Sequence, residues 1–148
     1  MTGLLFGKLP AHGDFVARGL SFEERDALDA WLSASLLQAR AAYRAAFEER
    51  FDAAAPWRCE GDGVAGALAA SQDSAGRRFP LLLMCAGRSG DAARCEELLY
   101  AAICECWSAD RLVTEVGDAP RGVVKLWRGS GRERAGAMPA DLLKEMLA

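Results

Sequence analysis

Residues able to do acid–base or anion chemistry crowd the start of the chain. The segment Gly7-Lys8-Leu9-Pro10-Ala11-His12-Gly13-Asp14-Phe15 sets a lysine, the only histidine and an aspartate among two glycines and a proline. A lysine in a glycine-bounded loop suits phosphate binding, and a histidine two residues from an aspartate suits general-base catalysis. A second segment of similar character is Asp73-Ser74-Ala75-Gly76-Arg77-Arg78-Phe79-Pro80. If the two loops meet, Asp14 and Asp73 become paired carboxylates near Ser71 and Ser74.

Each of these chemistries lacks a part. The glycine run that precedes a P-loop lysine is missing, and there is no Gly-x-Ser-x-Gly elbow for a serine nucleophile. Cys59, Cys85, Cys95, Cys104 and Cys106 offer only one close pair, Cys-x-Cys, and with a single histidine they make a poor zinc set. No catalytic residue, metal or cofactor is therefore expected. Asp14 and Asp73 instead read as acceptors of backbone N–H groups or as partners of Lys8, Arg77 or Arg78. In this reading Asp14 ties the first loop to the second, and His12 contributes least. Pro10, Gly13 and Gly76 set the loop shapes. Two alternatives stand beside it: a small hydrolase using Asp14, His12 and Asp73, and a structural subunit that packs through Trp127 and an amphipathic helix. Trp127 itself, alternating with Lys125, reads equally as core or as an exposed partner anchor.

Elements must exist to position these loops. The chain of 148 residues is the size of one domain, 1–148, and 51% hydrophobic with 26% charged residues is a globular composition. Eighteen basic against 21 acidic residues, net −3, argue against a nucleic-acid binder. The local basic run from Arg121 to Arg134 reads as a solvated face. The strongest apolar run, Phe79 to Ala86, is too short for a bilayer, and no signal peptide is expected ahead of the first loop. A cytoplasmic location with small, buried, reduced thiols follows.

Leu4-Leu5-Phe6 predicts a first strand. Ser21 with Glu24 three residues later is a capping box. Leu28, Trp31, Leu32, Ser35, Leu36, Ala39, Tyr43, Phe47 and Phe51 then repeat at helical spacing. This helix, about 22–54, is expected to break near 39–42 and to pack on a sheet. Strands follow at 57–60, 64–70 and 81–86. A helix capped by Ser89 or Asp91 runs to about 108, with Cys95 and Cys106 on its buried side. A late strand at 123–127, a polar loop at 129–136 and a helix after Pro139 close the chain. The expected fold is α+β, α/β sandwich-like, with a mixed or mainly antiparallel central sheet and packed helices.

The two loops, in this order, resemble those of the TagF-type proteins associated with bacterial type VI secretion. The resemblance continues through Asp29-Ala30-Trp31-Leu32, Pro56-Trp57-Arg58, and Ser71-Gln72-Asp73-Ser74-Ala75-Gly76-Arg77-Arg78-Phe79-Pro80-Leu81. It closes with Leu126-Trp127, Gly129 and Pro139. This chain departs from the family pattern at His12, where arginine or another residue is usual, at Ala70 for proline, and at Arg128 for a second tryptophan. Its last third looks shortened. The resemblance implies a cytoplasmic post-translational repressor of secretion that binds the system's forkhead-associated scaffold protein. It also implies a domain without the phosphatase unit to which some relatives are joined, and leaves room for a weak homodimer.

Overall fold

The structure is a computed structural model that describes residues 2–87 and 89–148. Its centre is a seven-stranded sheet, antiparallel at every pairing. The strands are β1 Leu4–Gly7, β2 Val16–Arg18, β3 Trp57–Gly61, β4 Val64–Ala69, β5 Leu81–Cys85, β6 Leu126–Gly129 and β7 Arg132–Ala135. Their order is β2-β1-β5-β4-β3-β6-β7. The fold is thus α+β as expected, and its sheet is antiparallel rather than mixed.

Alternating side chains send one half of the sheet's apolar residues to each face. Leu4, Phe6, Leu82, Leu68, Trp57 and Trp127 form one core with helix α1 Phe22–Tyr43, helix α2 Phe47–Ala53 and the short helix α5 Leu142–Met146. Leu5, Leu81, Leu83, Cys85, Ala67 and Ala69 form the other with helices α3 Ser89–Cys104 and α4 Ala109–Val116. The alanines of β4 leave the room that lets α3 lie close against the sheet.

Helix α1 starts at the capping box: the Glu24 amide donates to Ser21 Oγ at 3.1 Å and the Ser21 amide donates to Glu24 Oε1 at 2.9 Å. The expected buried stripe is in place, from Leu28 to Ala39 and on through Phe47 and Phe51. The break comes later than 39–42. It falls at Arg44, whose φ of 49° ends the α-helix and opens a single 3-10 turn, Arg44–Ala46.

The second half differs more. The helix expected to reach 108 ends at Cys104, because Cys106 sits in the left-handed region at φ 54°. Cys104 and Cys106 are consequently exposed, while Cys59, Cys85 and Cys95 are buried. A new helix, α4, begins after Ser108, whose Oγ accepts from the Arg111 amide at 3.2 Å. Neither residue expected as the cap precedes α3: Ser89 is the first residue of the helix and Asp91 lies in its first turn. The late strand starts at Leu126 instead of 123, and the expected polar loop contains β7. Trp127 is core: it is 1% exposed, its Nε1 donates to the Ala137 carbonyl at 3.1 Å, and its ring lies 5.8 Å from that of Trp31. It is not a surface anchor.

Candidate functional site

Strand pairing brings the two loops together. The first leaves the end of β1 and returns as β2; the second joins β4 to β5, and β5 is β1's other neighbour. Both loops therefore emerge on the same end of the sheet. A main-chain bond from Lys8 N–H to the Pro80 carbonyl (3.4 Å) fastens them at the base. Phe6, Phe15 and Phe79 close the underside, with Phe15 edge-on to Phe79 at 4.8 Å and stacked on Phe6 at 5.9 Å.

Asp73 is the centre of the arrangement and is 1% exposed. Its Oδ1 accepts from the amides of Ala75 and Arg77, both at 3.0 Å. Its Oδ2 accepts from Arg77 Nε at 2.7 Å and lies 3.4 Å from Lys8 Nζ. Gly76 makes the tight turn possible: its φ is +80°, and its amide donates to the Asp73 carbonyl at 3.0 Å. Burial by itself would raise the Asp73 carboxyl. The Arg77 amide and guanidinium, the Ala75 amide and Lys8 outweigh it and hold the carboxyl at about 2. Lys8, itself 8% exposed, also stands 4.8 Å from the centre of the Phe15 ring.

The bonds between the loops run through main-chain carbonyls. Arg77 Nη2 donates to Gly13 O at 2.7 Å, and the Ser74 amide donates to His12 O at 2.8 Å. Asp14 takes no part. It is exposed, and among the described residues its Oδ1 accepts only from the adjacent Phe15 amide at 2.7 Å. The expectation that Asp14 joins the loops is therefore corrected: Gly13 and His12 do so, by their backbones, with Lys8 beneath. His12 is also not the idle residue expected. Its Nε2 accepts from the Ala109 amide at 3.0 Å, at the first turn of α4, so the loop is pinned to a third element. Arg18, on β2, reaches Asp110 of the same turn at 2.7 Å.

Arg78 anchors the second loop to α2. It grips Asp52 through two contacts of 2.8 Å and also pairs with Glu48. Those hydrogen bonds hold the Asp52 carboxyl below its ordinary range. Pro10 lines an open recess of about 400 Å³ between the loops, α2 and α3, with Phe51, Ser71 and Ile103 among its other walls.

Of the residues singled out from sequence, Lys8, Pro10, Gly13, Asp14, Asp73, Gly76 and Arg77 lie in this one loop assembly, and Trp127 does not. The hydrolase grouping does not assemble. His12 Nε2 is held by Ala109, Asp73 is enclosed by its own loop and Lys8, and no hydrogen bond joins His12 to either carboxylate. Among the described residues, no three of His, Cys, Asp and Glu cluster as metal ligands would. The basic run is charge-paired on the surface: Arg128 with Glu60 and Glu133, Arg132 with Glu145, Arg134 with Asp141 and Glu145.

The pattern of the TagF N-terminal domain, type VI secretion system-associated, matches residues 4–124. That span holds both loops and every element from β1 to α4. The chain belongs to the TagF N-terminal domain family and is a type VI secretion system-associated protein. No curated protein matches it. Among solved structures it is similar to the crystal structure of PA0076 from Pseudomonas aeruginosa PAO1 at 2.05 Å resolution. The two share 24% identity and a TM-score of 0.67 over 97% of this chain and 76% of the other. This places the TagF-type chain and PA0076 in one fold. The TagF match stops before β6, so the closing Leu126-Trp127, Gly129 and Pro139 lie beyond it. Among the described residues no helix is long and apolar enough to cross a membrane.

Proposed function

We propose that this TagF-type chain is a cytoplasmic negative regulator that restrains type VI secretion after translation by binding the system's forkhead-associated scaffold protein. It acts by occupancy, without catalysis. The observation that carries this reading is the double loop. Lys8, Asp73, Arg77 and the His12 and Gly13 carbonyls lock the two segments on which the sequence resemblance rests into one rigid rim. Asp14, Gln72 and Ser74 lie on its exposed side. A rim built at the cost of a buried ion pair, with exposed polar side chains along its outer side, suits recognition of another protein.

The test uses residues whose loss leaves the lock intact. Asp14→Ala and Gln72→Ala are expected to keep the thermal midpoint of the parent and to weaken binding of the purified scaffold protein in calorimetry by about tenfold or more, as a loss of over 1.4 kcal/mol would. In cells the same variants release secretion. Parent-like binding by both folded variants would move the interface off this rim. Failure of the parent itself to bind would remove the scaffold as its target.

A further inference from the structure

Cys85 and Cys95 take no part in the loop assembly. Cys85 is the last residue of the central strand β5 and Cys95 lies on the inner side of α3, on the sheet face away from α1. Their sulfurs are 3.6 Å apart, and the two residues are 3% and 0% exposed. Cys95 Sγ is also 3.9 Å from the Ala65 carbonyl. Bond formation requires the sulfurs to close to about 2.05 Å. Cys59 belongs to the core on the other face, and Cys104 and Cys106 are on the surface.

We propose that Cys85 and Cys95 are an oxidation site, a dithiol that hydrogen peroxide converts to an intramolecular disulfide clamping α3 to the central strand. Cys85, at the end of its strand and the less buried of the two, is the attacking sulfur. The hydrogen bond from the Cys95 thiol lowers its pKa, and Arg94 adds to this, against burial and Asp91. The hydrogen bond to Cys85 together with burial pushes Cys95 up, so Cys95 stays protonated until it is needed. The Cys85 thiolate attacks one peroxide oxygen. The O–O bond breaks, hydroxide leaves and takes up the proton Cys85 released, and Cys85 becomes a sulfenic acid. The Cys95 sulfur then attacks the Cys85 sulfur. The S–O bond breaks and the oxygen leaves as water with the Cys95 proton. Two thiols lose two electrons, and one peroxide is reduced to two waters.

The test starts from Cys104→Ser/Cys106→Ser, which alters only exposed thiols. The reduced variant is treated with hydrogen peroxide, quenched, unfolded and alkylated. The expected result is loss of two hydrogens in mass and loss of two of the three alkylation sites. A linked peptide pair containing Cys85 and Cys95 should also appear, with dithiothreitol reversing all three changes. Adding Cys95→Ala leaves a Cys85 sulfenic acid that dimedone traps. Three alkylated thiols after oxidation overturn the proposal. So does a disulfide that uses Cys59, and so does a Cys85 sulfinic acid beside a free Cys95.

Discussion

Asp73 carries two roles, turn former and ion-pair centre, and its titration separates them. Its carboxyl sits near 2 in the folded chain against an ordinary 3.8. A carboxyl depressed on folding stabilises the fold above its unfolded value, and that contribution fades as pH falls through the folded one. Asp73→Asn keeps the shape but leaves Lys8 and Arg77 without their counter-charge. At neutral pH it is expected to lower the thermal midpoint by roughly 10 °C, in the range for breaking a buried pair. The gap to the parent should narrow as pH falls below about 4 and nearly vanish near 2, which a melting series over pH measures. His12 is the second residue to test. Replacing it with alanine removes the acceptor at the start of α4, at a cost of about 1 kcal/mol in urea unfolding. The Ala109 amide should also exchange with solvent faster. A sequence reader sees Lys8, Asp73 and Arg77 as complementary charges. The Gly13 and His12 carbonyls that complete the lock are invisible, because every residue carries one. The imidazole–Ala109 bond depends on a helix that the sequence barely announces.

Elements were legible where burial imposes a period. The stripe of α1, the capping box at Ser21 and the apolar runs of β4 and β5 are written in side chains that face a core. Helix α4 is only Ala109–Val116, with Leu112, Val113 and Val116 as its apolar signal, too short a pattern to stand apart from α3 until Cys106 turns the backbone. Strand β7 reads Arg-Glu-Arg-Ala, and its one apolar residue, Ala135, is exposed. Its half-buried arginines are held by Glu145 and Asp141 of the closing helical segment instead. The hairpin that joins it to β6 turns at Ser130-Gly131, both with positive φ, and the residue before that turn is the critical one. A Cβ on Gly129 would stand 2.1 Å from Trp57 Cδ1 and 2.3 Å from Cγ. Trp57 is 0% exposed and cannot swing away. Gly129→Ala is therefore expected to cost about 1–3 kcal/mol through forced repacking, with a changed near-ultraviolet tryptophan signal. An unchanged signal with parent-like stability would mean that the hairpin lies further from the indole.

At the scale of the whole molecule, an open sheet has two edges, and each is a template for another strand. The β2 edge has α4 beside it, joined by Arg18 and Asp110. The β7 edge is guarded by its sequence. Two copies of β7 that paired antiparallel would have to match residues pointing to the same face. That sets Arg132 opposite Arg134, or either arginine opposite its own copy, and like charges in direct opposition destabilise the pair. A homodimer through this edge is thus disfavoured by charge, although the backbone is available. The expectation is a chain that sediments as a monomer at tens of micromolar. The double substitution Arg132→Val/Arg134→Val should change that, because Val-Glu-Val-Ala offers two β-branched residues where repulsion stood. Part of the change will be lost stability, since Glu145 and Asp141 lose their partners. A charge-keeping control, Arg132→Lys/Arg134→Lys, separates the two effects. It weakens the same pairs but retains the repulsion, and should remain monomeric. Dimers in the parent and the lysine variant alike would show that the guard is not electrostatic. Dimers in the valine variant alone would show that two arginines keep this edge single.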